Sequence, residues 1–337
     1  MTKKIIFRAD GNSKTGLGHL YRLLAIVEIV RGHYEFIFLT RASTISSMFD
    51  DKISLALIPE KITLEEEPDW ISNNYPSDEF NVIADGYQFN SIYQKQLKNK
   101  GYKLIYIDDL AKEYMFADLV INHSPYVNKT DFRKESYTKL ALGTPYAILR
   151  PLFLNQAKQY KSVNLIENVF VCFGGADPFN LSLKAVKALL QIKSIRKIHV
   201  VLGGAYNHSE IFDLERIFSK RIKTFANLSE ESLLEVMGFC NFAIAPASTI
   251  LYELCCVKMP ILSGFFVNNQ ELIYKGFLES KAIYPGGNMK NFEVSNFLGL
   301  IEAILKEGNF NEQVEAQKKL FDDRIASRHL NLIKTLC

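Results

Sequence analysis

The sequence predicts an α/β protein that contains two doubly wound domains, and three observations support this fold class. Short apolar runs typical of strands alternate with stretches of helical character along most of the chain. The alternation restarts after a break near residues 150–165. The chain has 337 residues, enough for about two domains of roughly 150 residues each.

In the first half, the apolar runs are rich in Ile, Val, Phe and Tyr, and their length suits strands that are buried on both faces of a parallel sheet. Strands are predicted at residues 3–7, 34–40, 80–87, 102–110 and 117–124. Helices are predicted between them at residues 20–33, 44–52 and 90–101. This order of strands and helices indicates a doubly wound sheet.

The second half repeats the pattern, beginning with a strand that ends in the glycine-rich turn "FGGADPFN". Further strands are predicted at residues 196–207, 221–227, 240–248 and 259–266, and helices at 181–192, 229–239, 249–258 and 269–281. The stretch 293–337 is helical in pattern. We therefore predict one domain at 1–155, a second at 156–310, and a helical segment at 311–337 that packs near the junction.

Composition excludes several classes of partner. The net charge is only +3 and the basic residues are scattered, so no nucleic-acid partner is predicted. The spacing of the five cysteines indicates no disulfide pairs, and no CxxC motif occurs. This pattern indicates buried thiols in a reducing cytoplasm. The N-terminus lacks the features of a signal peptide. No apolar run approaches the roughly twenty residues that span a bilayer, so no membrane insertion is predicted.

Ligands of doubly wound sheets bind outside the carboxyl ends of the strands. The link between the first strand and the first helix is at such an end, and it contains Gly16, Gly18 and His19. Glycines permit close backbone approach to a ligand. The positive end of the helix dipole disfavours imidazolium, so a neutral His19 suits general-base catalysis. A histidine that only caps the helix is the alternative. Tyr21 stands where a dinucleotide fingerprint needs its third glycine, which disfavours a dinucleotide site.

Two later turns are candidates for phosphate binding. In the first turn, the backbone N–H groups of Gly174 and Gly175 can face a diphosphate. The alternative is a tight bend in which Asp177 is an ordinary helix cap. Ser248 and Thr249 begin a helix, with Glu253 one turn further on. That spacing suits a site in which the Glu253 carboxylate binds ribose hydroxyls and the start of the helix binds phosphate. The alternative is a helix cap followed by a surface glutamate. No ligand spacing predicts a metal site.

Seven segments in order resemble the PseG-type UDP-sugar hydrolases of pseudaminic acid biosynthesis, relatives of the MurG-like GT-B superfamily. They are "GLGHLYRLLAI", "IADGYQ", "YIDDL", "GTPYAILRPLF", "CFGGADPFNLSL", "APASTILYEL" and "NNQE", and they cover about residues 4–290. The resemblance implies a GT-B-like fold of two Rossmann-like domains with an interdomain cleft. The first domain then carries the catalytic base, and the second holds UDP.

The reaction implied by the resemblance is hydrolysis of UDP-2,4-diacetamido-2,4,6-trideoxy-β-L-altropyranose in the cytoplasm. Water attacks the anomeric carbon with inversion, releasing UDP and the free amino sugar, and neither metal nor cofactor is needed. Three alternatives stay open. They are hydrolysis of a related UDP-diamino-trideoxy sugar, a GT-B glycosyltransferase that uses a UDP-activated amino sugar, and a nucleotide-sugar binder without activity.

The same resemblance implies roles for individual residues. His19 matches the base, and Tyr87 lies beside it as the second catalytic residue. The residues assigned to substrate and UDP binding are Asp10, Gly16, Gly18, Arg22, Gly174, Gly175, Asp177, Ser248, Thr249, Glu253, Asn269 and Gln270. The sequence departs from the family pattern at Gly86, His123 and Pro246, in loops expected to face the sugar.

Overall fold

The computed structural model describes residues 3–11, 17–44, 49, 52–159 and 161–336. The chain divides into two compact units. Unit 1 comprises Met1–Pro151 and Arg324–Cys337, and unit 2 comprises Leu152–Asp323. Each unit has its own parallel sheet and its own core.

Unit 1 contains nine strands and three α-helices before the chain enters unit 2, counted over the described residues. The strands are β1 (Lys4–Arg8), β2 (Phe36–Arg41), β3 (Leu55–Ile58), β4 (Phe80–Asp85), β5 (Leu104–Ile107), β6 (Tyr114–Met115), β7 (Leu119–Asn122), β8 (Arg133–Lys134) and β9 (Lys139–Leu142). The helices are α1 (Gly18–Val30), α2 (Glu67–Asn74) and α3 (Ser91–Asn99). The main sheet has the order β3-β2-β1-β4-β5-β7-β9, and its strand pairs are parallel.

Both faces of the unit 1 sheet are buried, which explains why its strands are continuous apolar runs. Successive side chains of a strand point to opposite faces. Ile5 and Phe7 therefore join a core formed with α1, and Ile6 joins the opposite core with Ile71 of α2 and Leu97 of α3.

Unit 2 contains a second parallel sheet, of order β12-β11-β10-β13-β14-β15. Its strands are β10 (Asn168–Val171), β11 (Lys197–Leu202), β12 (Ile222–Ala226), β13 (Phe242–Pro246), β14 (Ile261–Phe265) and β15 (Tyr284–Asn288). Its helices are α4 (Pro151–Gln156), α5 (Leu181–Leu189), α6 (Glu210–Ile217), α7 (Glu230–Gly238), α8 (Thr249–Val257), α9 (Glu271–Glu279), α10 (Val294–Glu307) and α11 (Asn311–Leu320). The doubly wound α/β class predicted from the sequence is confirmed.

The last helix, α12 (Ile325–Lys334), belongs to unit 1 although it follows unit 2 in the chain. Its Ile333 is buried in the core beside α1, and Nε2 of the buried His329 donates to the carbonyl of Ala147 at 3.0 Å. The segment expected at 311–337 is therefore divided, because α11 contacts α8 of unit 2. None of the described helices is long and apolar enough to cross a membrane.

Several elements were not predicted from the sequence, and β15 shows why. Its sequence, "YPGGN", combines proline with two glycines and is typical of a turn. Because β15 is an edge strand that pairs with β14, it tolerates proline and glycine that an inner strand does not. The helix predicted at 44–52 falls mostly outside the described residues.

Candidate functional site

His19, the predicted base, is the second residue of α1 and is buried. The N-cap position is Leu17, so His19 does not cap the helix. Gly18 begins α1, and a side chain at its position would meet nothing within 4 Å. Gly16 lies outside the described residues.

The Asp85 carboxylate, at the end of β4, fixes the orientation of the His19 ring. Asp85 Oδ1 lies 2.7 Å from His19 Nδ1. A carboxylate can only accept, so this contact favours the tautomer with the proton on Nδ1, in which Nε2 is the acceptor. β4 is hydrogen-bonded to β1, which brings the carboxyl end of β4 beside the start of α1.

Arg22, one turn after His19, bridges the buried carboxylate of Asp85 and the half-buried carboxylate of Asp109. Its Nε and Nη2 donate to Asp85 at 2.8 and 2.7 Å, and its Nη1 donates to Asp109, which follows β5. Nη2 also lies 2.8 Å from His19 Nδ1. A guanidinium can only donate, so in this contact Nδ1 is the acceptor, and Arg22 competes with Asp85 for the same ring nitrogen.

The charges of this cluster hold Asp109 in its ionised form. Burial alone raises the pKa of a carboxyl, but the guanidinium of Arg22 outweighs burial and lowers the pKa of Asp109 to about 2. The contacts of Arg22 with Asp85 and Asp109 engage its Nε, Nη1 and Nη2. Its assignment to substrate binding stays a prediction.

Tyr87, the second predicted catalytic residue, lies directly beside the base. Its ring meets the His19 ring edge-on, with centroids 4.7 Å apart, and its hydroxyl donates to Asp109 Oδ2 at 3.1 Å. Tyr87 is 47% exposed although it contacts buried groups. His19, Arg22 and Tyr87 thus share one cluster with Asp85 and Asp109.

Asp10 lies in a neighbouring network of ion pairs. Arg8, which is fully buried, donates to both Asp10 oxygens at 2.6 and 2.8 Å and to Glu67 of α2 at 2.6 and 3.0 Å. Thr40 and the backbone N–H of Arg41 also donate to Asp10. Although burial opposes ionisation, these contacts lower the pKa of Asp10. The geometry gives Asp10 a structural role, and a role in substrate binding stays a prediction.

Replacing Arg8 with methionine is expected to destabilise unit 1 by about 3–5 kcal/mol, because it leaves the buried carboxylate of Glu67 and the half-buried one of Asp10 without their main partner. Urea unfolding monitored by circular dichroism measures the change. Arg216→Met in the exposed pair with Asp213 is the matched control, with an expected loss of less than about 1 kcal/mol. Equal stabilities of the two variants would contradict the role given to Arg8.

In unit 2, Gly174 and Gly175 form the turn after β10. Gly174 has φ +83°, a conformation that favours glycine. A second pair of glycines, Gly203 and Gly204, follows β11. Gly203 packs against the first turn, since a Cβ at its position would lie 2.3 Å from Gly175 Cα. Gly175 is exposed at this carboxyl edge. The turn therefore presents backbone that a ligand can approach closely.

Asp177 has the geometry of a helix cap. Its side chain is buried and accepts from the backbone N–H groups of Leu181 and Ser182, both at 2.8 Å, at the start of α5. Because these bonds engage both carboxylate oxygens, Asp177 stabilises the turn and the helix together.

Ser248 and Thr249 lie at the start of α8, immediately after β13. Ser248 is the N-cap, but its hydroxyl does not bond to the helix backbone. Glu253 is buried one turn further on. Burial first, and then the charges of Glu253 and Asp177, raise the pKa of Cys172 after β10 to about 11. β13, which leads into α8, pairs with β10, so the start of α8 and the Gly174 turn follow neighbouring strands.

Asn269 and Gln270 form part of the turn Asn268–Gln270 after β14. Asn269 is exposed, whereas Gln270 is buried and its Oε1 accepts from Phe266 N at 3.0 Å. Strands β10, β13 and β14 are neighbours in the sheet. The predicted residues of unit 2 thus follow three adjacent strands at one edge.

Sequence reasoning did not assign roles to Asp85 and Asp109, although both follow predicted strands. His123, a departure from the family pattern, is also near this cluster. Its Nδ1 accepts from Ile148 N at 3.1 Å, and burial together with the charge of Arg22 lowers its pKa to about 4. Among the described residues, no group of three or more His, Cys, Asp or Glu side chains is placed to hold a metal ion.

Comparisons of sequence identify distant relatives, and no family model matches the chain. The chain is 26% identical over 292 residues to an uncharacterised protein, MJ1062, of Methanocaldococcus jannaschii, covering 82% of this chain and 58% of that protein. It is 24% identical over 278 residues to the UDP-2,4-diacetamido-2,4,6-trideoxy-β-L-altropyranose hydrolase of Campylobacter jejuni, covering 80% of this chain and 93% of that enzyme. The spore coat polysaccharide biosynthesis protein SpsG of Bacillus subtilis is 23% identical over 81% of this chain and 80% of its own length.

Solved structures show the fold more clearly. MurG of Acinetobacter baumannii matches with a TM-score of 0.67 at 11% identity, over 99% of this chain and 100% of that chain. The spinosyn rhamnosyltransferase SpnG complexed with thymidine diphosphate matches with a TM-score of 0.66 at 12% identity and the same coverage. The fold is therefore GT-B-like, with two Rossmann-like domains. The comparisons support the predicted superfamily, and the narrower PseG-type assignment stays a prediction.

Proposed function

We propose that this protein is an enzyme that acts on UDP-sugars, and specifically a metal-independent, inverting hydrolase of UDP-2,4-diacetamido-2,4,6-trideoxy-β-L-altropyranose in nonulosonic acid biosynthesis. The observation that carries the proposal is the 2.7 Å contact between His19 and Asp85. In the tautomer that this contact favours, Nε2 of a histidine at the start of α1 is the proton acceptor. The similarity to the Campylobacter jejuni hydrolase supports the choice of substrate.

In the proposed reaction, unit 1 supplies the base. Nε2 of His19 takes a proton from water as that water attacks the anomeric carbon from the face opposite UDP. The bond from the anomeric carbon to the diphosphate oxygen breaks, and UDP leaves with the electron pair. Asp85 stabilises the imidazolium that forms, as the buried carboxylate does in other His-Asp pairs. Tyr87 packs against the ring and limits its rotation.

Unit 2 supplies the nucleotide site in this proposal. Backbone N–H groups at the Gly174 turn and at the start of α8 stabilise the charge that develops on the diphosphate. Glu253 of α8 accepts hydrogen bonds from the ribose hydroxyls. UDP is a good leaving group, so no strong general acid is required.

A glycosyltransferase that uses a UDP-activated amino sugar is the second candidate. The structural neighbour SpnG favours it, because its name identifies a rhamnosyltransferase. The same His19 would then deprotonate an acceptor hydroxyl instead of water.

Incubation of the protein with the UDP-linked diacetamido sugar, without acceptor and with EDTA present, tests the proposal. We expect release of UDP and free sugar in equal amounts, measured by chromatography. Proton NMR taken immediately after release should show the inverted anomer, and reaction in isotopically labelled water should place the label on the sugar. Release that requires an acceptor would favour the transferase, and tight binding without release would favour a binding protein.

A further inference from the structure

Unit 2 contains a cavity of about 530 Å³ at the amino ends of β10, β11 and β12. We call it the amino-edge cavity. Asn168, Lys197 and Ile222, which line it, are the first residues of these strands. The Gly174 and Ser248 turns follow the carboxyl ends of strands in the same parallel sheet. The cavity therefore begins at the opposite edge from the proposed nucleotide site and extends along the sheet to Phe225.

Three aromatic side chains line the cavity: His199, Phe225 and Phe239. His199 of β11 and Phe225 of β12 stack at 6.0 Å with 26° between their ring planes. Phe239, the residue after α7, also lines the cavity and is 62% exposed. His199 and Phe225 are half-buried. Aromatic side chains that are partly exposed in a cavity suit a planar ring that packs against them.

Positive charge surrounds these rings. Lys197, Lys220 and Lys223 line the cavity. Lys197 Nζ donates to the carbonyl of Lys220 at 2.8 Å, and Lys223 Nζ lies 5.8 Å from the centroid of Phe225. Arg221 also lines the cavity, but its guanidinium donates to carbonyls at the end of α5 and in the turn that follows.

One acidic side chain, Glu235, is among the lining residues. Three lysines against one glutamate leave the cavity positive, and lysine is an effective partner for phosphate and carboxylate groups. The volume is within the range of pockets that bind small molecules. The cavity thus combines aromatic side chains with lysine ammonium groups.

We propose that the amino-edge cavity is a second ligand site, for a small molecule whose planar aromatic ring carries a phosphate or a carboxylate. The ring stacks on Phe225 and against Phe239, and the anionic group contacts Lys220 and Lys223. This site does not depend on the proposed function, because it uses neither His19 nor the turns assigned to UDP.

Calorimetric titration of the full chain tests the proposal with simple probes. Naphthyl phosphate and naphthoate combine ring and anion, whereas naphthol and inorganic phosphate are the separate halves. We expect at least one complete probe to bind about tenfold or more tightly than either half, because both kinds of contact add. The tighter of the two complete probes identifies the preferred anion. Complete probes that bind no more tightly than the halves would overturn the proposal.

Two variants locate the binding. Lys223→Gln should weaken the preferred complete probe about tenfold and leave naphthol unchanged, whereas Phe239→Ser should weaken both, since it removes ring contact. Both positions are exposed, so the fold should be retained. The matched controls are Lys187→Gln and Phe212→Ser, which are exposed residues of α5 and α6 outside the lining. Binding by both cavity variants equal to that of the controls would overturn the proposal.

Discussion

Replacing His19 with asparagine is expected to lower kcat for UDP-sugar hydrolysis by about a thousandfold or more, because no other group replaces the proton acceptor at Nε2. Asparagine is smaller and neutral, so α1 and the Asp85–Arg22 pair should persist. The affinity for UDP should change little, since the groups assigned to UDP are in unit 2. Steady-state kinetics and calorimetric titration with UDP measure the two effects separately.

His33→Asn is the matched control for this variant. His33 follows α1, is exposed, and lies outside the cluster around Asp85. Its replacement should leave kcat and UDP affinity unchanged. A His19→Asn variant that hydrolyses the substrate at a near-native rate would remove His19 from the mechanism.

Replacing Asp85 with asparagine is expected to lower kcat by about a hundredfold or more. An amide can donate to Nδ1 where the carboxylate accepts, and the proton then moves to Nε2, where it blocks the base. Asp85 is a positioning residue, so KM should change much less than kcat. Nitrogen NMR of the labelled imidazole reports the tautomer directly and should show Nε2 protonated in the variant.

Asp108→Asn is a suitable control because it also replaces a buried carboxylate by an amide. Asp108 accepts from Asn122 and from the backbone of Ala111, and these contacts are separate from those of His19. Its variant should retain the native tautomer and most of the activity. If Asp85→Asn and Asp108→Asn lose activity equally, the loss reflects general destabilisation and the positioning role is wrong.

The sequence predicted the fold well where burial determines composition. β5 and the centre of β1 are buried on both faces, so their residues are apolar and their type is clear. Edge strands and short helices were harder to predict from the sequence. They pack on one side only, so burial constrains fewer of their residues to be apolar. The edge strand β15, with its proline and glycines, is the clearest case.

The candidate site was predictable in position but not in its contacts. His19 was identified because it follows a strand at the start of a helix. Arg22 is three residues further on, and this spacing places two side chains on one helix face, so their proximity could have been inferred. The pairing of His19 with Asp85 depends on β1 lying beside β4, 66 residues apart at the contact. That neighbourhood is a property of the tertiary fold.

Because α12 completes unit 1 after all of unit 2 has been synthesised, the first half of the protein cannot finish folding on the ribosome until almost the whole chain has emerged. A fragment that stops at Pro151 would leave uncovered the apolar surface on which Ile333 packs, and the carbonyl of Ala147 would lose its partner His329. Production of this half in isolation therefore requires a fusion that joins 324–337 directly to 1–151.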